Sequence, residues 1–170
     1  LVFMQFERAA DGTMTPLPRP SIDTGAGLER ISAAMQGVYS NYDTDCFTPL
    51  IATVADLAGV AYAASDSTSD VAMRVIADHA RATAFAIADG VMPGNSERDY
   101  VLRRIMRRAI RFGVKLNLSG SFLYKVTDAV VAHLGDAYPD LRDRQDFIRE
   151  VVRGEEERFS RTLGRGLELL

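Results

Sequence analysis

The stretch YVLRRIMRRAIRFG, residues 100–113, decides the fold class of this chain. On a wheel advancing about 100° per residue with Arg103 at zero, Arg107, Arg111, Arg104 and Arg108 fall at roughly 40, 80, 100 and 140°. Val101, Leu102, Ile105, Met106, Ala109, Ile110 and Phe112 fill the rest, from roughly 160 to 340°. One half is cationic and the other apolar, so an α-helix must bury the second half against neighbours of its own kind.

Those neighbours are legible on both sides. Upstream, Phe47, Leu50, Ile51, Val54, Leu57 and Ala58 have the 3–4 spacing of a buried helical face. A further helix follows the polar loop ASDSTSD (64–70), capped by Ser69 or Asp70 and ending near Asp89 and Gly90. Downstream, Phe122, Leu123, Val126 and Val130 mark a helix ending at Gly135. A long helix starts near Asp140, with Ile148, Val152, Glu155, Phe159 and Leu163 on its faces. Gly154, Gly164 and Gly166 each weaken it by about 1 kcal/mol. Before Gly27 the pattern differs. LVFMQF (1–6) reads as a strand, Asp11-Gly12 as a hairpin turn, and Pro16, Pro18 and Pro20 exclude a helix. Leu28, Ile31, Met35 and Val38 then form a first helical stripe that ends near Gly37. The expected fold is mainly α: a short N-terminal β element followed by a bundle of about six helices.

Length and composition allow one ordinary globular domain or one domain plus a fragment: 170 residues, 47% hydrophobic and 25% charged. No apolar run approaches the roughly 20 residues of a membrane span. The start carries no basic flank of a signal peptide, there is no initiator methionine, and Leu170 falls within a helical pattern; both ends are expected to be cuts. The single cysteine, Cys46, excludes an intrachain disulfide and suits a reducing cytoplasm. Cys46, His79 and His133 lack metal-ligand spacing, so no metal site is expected. The net charge of −3 conceals a basic stripe, with six arginines from Arg98 to Arg111 against one acid, Asp99. Two readings stay open for it: a solvated face paired to acids elsewhere, or a phosphate-binding face.

A second motif is DTGAGLER (23–30), which joins extended chain to a helix start. Gly25 and Gly27 permit close backbone approach, helix N-terminal N–H groups favour an anion, and the fork of Arg30 suits a phosphate. Taken alone, the pattern fits either a structural turn or a nucleotide site. Ser96 with Asp99 resembles a capping box for the arginine helix.

DTGAGLER resembles motif 3 of the class II aminoacyl-tRNA synthetases. LVFMQFER (1–8), PLPRPSIDTGAGLERI (16–31), QGVYSNYDTDCF (36–47), RVIADHARA (74–82), YVLRRIMRRAIRFG (100–113) and EEERFSRTLGRGLELL (155–170) resemble, in order, blocks of the alanyl-tRNA synthetase family. The resemblance covers nearly the whole chain. It implies an internal fragment of an alanine-tRNA ligase. Residues 1–65 would be the C-terminal part of the catalytic domain, and 66–170 a helical tRNA-recognition domain cut at its C-terminus. Arg30 would be the catalytic contact to the ATP phosphates, with Gly27 beside it. Asp23 would hold the α-ammonium of alanine, and Gly25 would keep that pocket narrow. Asn95, Arg98, Arg103, Arg104, Arg107, Arg108 and Arg111 would bind the acceptor stem of tRNA-Ala, with Asn95 reading a G·U pair. ATP with Mg2+ is implied, with zinc only in parts of the parent outside this chain. The fragment alone is expected to be inactive. Where the family's loop reads close to P-S-N-E-x-R-G-Y, this chain has PGNSERDY; Gly94, Ser96 and Asp99 depart from it.

Plainer readings fit the remaining residues. His79 is expected to be a hydrogen-bonded structural histidine, Tyr39, Tyr42 and Phe47 core, Cys46 a packed side chain, and Glu155-Glu156-Glu157 a solvated face. Competing classes are a non-catalytic helical RNA-binding module and a helical protein-interaction domain. A free-standing editing protein is disfavoured by the missing His/Cys motifs.

Overall fold

The computed structural model describes residues 2–167, and side chains as far as residue 162. Leu1 in the first strand and Leu163 on a helix face thus lie outside the described residues, as do residues 168–170. The chain separates into two compact units, Leu1–Thr44 and Asp45–Leu170.

The first unit opens with an antiparallel hairpin of β1 (Val2–Arg8) and β2 (Met14–Asp23). Gly12 adopts φ +89°, and Asp11 Oδ1 accepts from the Thr13 N–H at 2.9 Å, so Asp-Gly makes the turn expected of it. The register is interrupted: Met4 pairs with Ser21 but Phe6 already with Pro16. The skipped part of β2 holds Pro18 and Pro20, which have no N–H to give to a ladder. The ribbon buries little of itself. Phe3 is 65% and Ile22 64% exposed, and two strands alone do not make a stable core. Helix α1 (Leu28–Gln36) follows, and Gly37 closes it in the left-handed conformation. The stripe of Leu28, Ile31 and Met35 is exposed, Met35 at 83%; only Ala33 of this helix is buried. Tyr39, expected in a core, is fully exposed. A core needs two apolar faces, and this unit presents Tyr39 with nothing to pack on.

The second unit holds a true core. Helices α2 (Thr48–Ala58), α3 (Thr68–Ala88), α4 (Glu97–Lys115), α5 (Leu123–Leu134), α6 (Pro139–Asp143) and α7 (Gln145–Leu167) give seven helices in all among the described residues. The long helix expected from Asp140 is broken at Arg144, after the short turn that Pro139 starts. Helix α3 is central, packing on α2, α4 and α5, while α7 crosses α4 and α5. Its buried face is rich in small residues (Ala72, Ala77, Ala80, Ala84, Ala88), which let neighbours approach closely around Met73, Ile76 and Ile87. From α4 come Leu102, Met106, Ala109, Ile110 and Gly113, which lie at roughly 240 to 340° on the wheel, the side of the apolar half next to Arg103; Val101, at the opposite edge, is exposed.

Capping differs from expectation in two places. Ser67, not Ser69 or Asp70, caps α3, accepting from the Asp70 N–H at 3.2 Å. Asp70 is buried and ties down the preceding loop instead. It accepts from the Ser65 N–H and Oγ–H, each at 2.7 Å, and from the Ala63 N–H. These donors hold its carboxyl below the usual aspartate range. At α4, Ser96 makes no side-chain cap. Glu97 has φ +47°, outside the helical geometry that the first residue after a cap requires, so the expected capping box does not form.

Candidate functional sites

The first candidate lies wholly within the first unit. Asp23 ends β2, and its Oδ1 accepts from the Thr24 N–H at 2.7 Å. Four residues later Gly27 becomes the N-cap of α1 in extended conformation. The first turn of α1 leaves its backbone N–H groups outside the helix's own ladder, with the positive end of the helix dipole there. Gly25, Ala26, Gly27, Arg30, Ile31, Ala34 and Met35 line an open groove of about 480 Å³. A Cβ added at Gly25 would stand 3.0 Å from Val2 Cγ2, and one at Gly27 3.3 Å from Arg30 Nε. Both glycines therefore keep the approach bare, and Arg30 folds back across the helix start. Gly25, Gly27 and Arg30 are thus brought together at one helix N-terminus, whereas Asp23 is not among the residues that line the groove.

The second candidate lies in the second unit, at the head of α4. Of its arginines, Arg98, Arg104, Arg108 and Arg111 are exposed. Arg104 and Arg108 lie over the rings of Tyr100 and Phe112, each at 5.7 Å. Arg103 and Arg107 are turned inward toward α7, their side chains 14% and 33% exposed. Both meet Glu155 Oε1, Arg103 through Nε at 3.3 Å and Arg107 through Nη2 at 2.8 Å and Nε at 2.9 Å. Arg158 reaches Oε2 at 3.0 Å. Glu155 is 1% exposed. The wheel's cationic half is therefore divided: four arginines face outward, and two, with Arg158, neutralise a buried carboxylate.

The reading of Glu155-Glu156-Glu157 as a solvated face holds for Glu157, which is exposed, and is overturned for Glu155 and Glu156. Glu156 is fully buried, accepting from the Phe122 N–H at 2.8 Å and the Leu123 N–H at 3.1 Å, which caps α5 from another helix. Burial pushes its carboxyl above the usual glutamate value. The signal was present in the sequence. Glu155 follows Val152 by three residues and precedes Phe159 by four, which puts it on the buried stripe.

Asn95 sits in the loop before α4. Its Oδ1 accepts from Arg103 Nη1, and the Pro93 carbonyl accepts from Arg103 Nη2 at 3.1 Å. The departures in this loop are coupled. A Cβ at Gly94 would fall 2.7 Å from Asp99 Cβ, so glycine at 94 makes room for a side chain at 99. His79 pairs with Asp78 Oδ2 at 2.9 Å, as a structural histidine does. Among the described residues, no group of three His, Cys, Asp or Glu side chains is placed to hold a metal, and no helix is long and apolar enough to cross a membrane.

A family profile described as tRNA synthetases class II (A) matches residues 1–170. The chain belongs to this family. It is also similar over its whole length to alanine–tRNA ligases: 59% identical to that of Anaeromyxobacter sp. (strain Fw109-5), 56% to that of Oleidesulfovibrio alaskensis, and 52% to that of Acidithiobacillus ferridurans. The resemblance read from the sequence blocks is thereby borne out. This class II chain spans 19% of the length of each of these relatives.

Proposed function

We propose that this chain is the part of an alanine–tRNA ligase that supplies the motif 3 contacts to ATP and alanine and then recognises the tRNA acceptor stem. The parent reaction joins the alanine carboxylate to the α-phosphorus of ATP, releasing pyrophosphate. It then passes the alanyl group to the 3′ end of tRNA-Ala. No side-chain nucleophile is needed, so position and charge dominate.

The observation that carries the first half is the glycine-flanked start of α1 with Arg30 folded over it. A phosphate arriving at the helix N-terminus would meet the Arg30 guanidinium, whose Nε is 3.3 Å from a Cβ built at Gly27, and the Glu29 carboxylate, with Oε2 at 3.8 Å, would have to turn away. Mg2+ arriving with ATP would neutralise phosphate charge beyond what Arg30 offers. Asp23 would receive the α-ammonium of alanine. Gly25 would border the alanine site; a Cβ there would stand 3.0 Å from Val2 Cγ2, so the position has little room for a side chain.

The second half rests on Asn95 at the head of the arginine helix. The minor groove of A-form RNA is wide and shallow, and a G·U pair leaves the guanine 2-amino group without its Watson–Crick partner. The Asn95 amide oxygen would accept from it, while Arg98, Arg104, Arg108 and Arg111 meet phosphates. The division at residue 65 between these two functions belongs to the same proposal and is of a different kind from the compact-unit boundary at Thr44. The cytoplasm, where translation takes place, is the expected compartment.

Replacing the equivalent segment of a curated relative with this chain tests both halves. Arg30→Ala is expected to depress alanine-dependent pyrophosphate exchange. Asn95→Ala is expected to spare exchange and depress transfer to tRNA. Full exchange in the Arg30 variant would reject the motif 3 reading. A second reading, a non-catalytic RNA-binding module, describes the chain by itself, because Asp45–Leu170 holds its own core and exposed arginines. Alanine-dependent exchange by the chain alone would count against that second reading.

A further inference from the structure

We infer that Glu155 and Arg103 are positioning residues for Asn95, so that the long helix α7 sets the geometry of the loop before α4. This rests on the acceptor-stem reading above and adds to it residues far from the loop in sequence. The connection is continuous. The buried Glu155 carboxylate holds the Nε edge of Arg103 by charge, at 3.3 Å, in an ion pair without a hydrogen bond. The other end of the same planar guanidinium donates to Asn95 Oδ1 through Nη1 and to the Pro93 carbonyl through Nη2. One rigid group thus spans the helix α7 carboxylate, a loop backbone carbonyl and the reading side chain.

Arginine alone can do this. A lysine ammonium is a point charge and cannot address three sites from one plane. Holding Asn95 at Oδ1 removes the freedom of its amide to rotate end for end, and leaves one lone pair of that oxygen for an incoming amine. Arg107 takes the same Glu155 oxygen from one side and Arg158 takes the other oxygen. The carboxylate therefore cannot swing away when Arg103 moves. Arg103 and Glu155 touch no RNA in this arrangement. They act by presenting Asn95, whereas the exposed Arg104 acts through charge.

The test uses the 170-residue chain, Arg103→Lys and Glu155→Gln, with Arg104→Ala as control. Two readouts are taken: backbone 15N relaxation at residues 94–96 without RNA, and affinity for an acceptor-stem minihelix carrying G·U beside one carrying G·C. Both positioning variants are expected to raise loop mobility and to bring the G·U preference several-fold toward unity, with Arg103→Lys keeping the salt dependence of binding. Arg104→Ala is expected to weaken both RNAs alike. Should Glu155→Gln fail to fold, Arg103→Lys, which retains the charge, carries the test. Unchanged loop mobility in the variants overturns the inference whatever the RNA does. A loosened loop with an intact G·U preference overturns its specificity half. A loosened loop in a chain whose wild type has no G·U preference supports the positioning link and rejects the acceptor-stem reading on which its purpose rests.

Discussion

Two glycines inside helices should respond to alanine with opposite signs. At Gly113 in α4, an added Cβ would stand 2.3 Å from both Cε1 and Cζ of Phe122. Ordinary carbon–carbon contact is about 3.5–4.0 Å, so the ring must retreat by more than about 1 Å. It has little room: Phe122 is buried, and its N–H is held by Glu156 at 2.8 Å. Overpacking of this kind costs about 1–3 kcal/mol. Alanine's better helix propensity returns about 1 kcal/mol, leaving a net loss of about 1 kcal/mol. At Gly154 in α7 an added Cβ meets nothing within 4 Å, so Gly154→Ala should gain about 1 kcal/mol. The propensity gain is common to both variants, so their difference isolates the packing cost, about 1–3 kcal/mol. Urea titration followed by far-UV circular dichroism measures it, provided the slopes agree. In a Phe122→Leu background the gap should close. Equal stabilisation by both alanines would refute the packing of Phe122, the residue that precedes α5, against Gly113 of α4.

Other expectations follow from the divided arginine face and from the buried acids. Arg104→Ala or Arg111→Ala should weaken RNA binding at every sequence and reduce the salt slope by about one; Arg107→Ala should instead lower stability by about 1–3 kcal/mol, because Glu155 loses a charged donor. Glu156, raised above its ordinary 4.5 by burial, keeps its proton in the folded state only over the interval between that value and the raised one, where the unfolded chain has released it. Its contribution is complete below that value and is lost as pH rises through the folded one, so Glu156→Gln should flatten that fall in a series of melting curves. Asp70, lowered from 3.8, acts in reverse: its stabilisation is present above that value and lost as pH falls through the folded one, and Asp70→Asn should remove this acid limb. Gly94→Ala should disturb the loop, and Asp99→Gly in the same chain should restore it, as seen in the Asn95 amide signals; failure of the second change to rescue the first would deny their steric coupling.

Much of this was legible because it is local. The 3–4 spacing around Leu50 and Val54, the Asp11-Gly12 turn and the glycines closing α1 and α3 each reflect a short-range rule. The motif at residues 23–30 was legible for the same reason, since strand, glycines, helix start and Arg30 adjoin in the chain. What escaped depends on distance. The partner of Arg103 and Arg107 is some 48 residues away from Arg107 along the chain, and a run of three glutamates reads as solvated until its place on the stripe of Val152 and Phe159 is weighed. The N-terminal unit escaped in another way. Tyr39 has the composition of a core residue, yet burial needs a second surface that these 44 residues do not provide. Ser96 looked like a cap because the residue types fit, but the left-handed Glu97 is a backbone fact that residue types do not reveal.

The most direct test of the central claim is a titration of the chain with an acceptor-stem minihelix carrying G·U, beside its G·C counterpart, at two salt concentrations. Tighter binding to the G·U stem, with both affinities falling as salt rises, is the expected result. Equal affinity for the two stems, or no binding at low salt, would contradict acceptor-stem recognition by this chain.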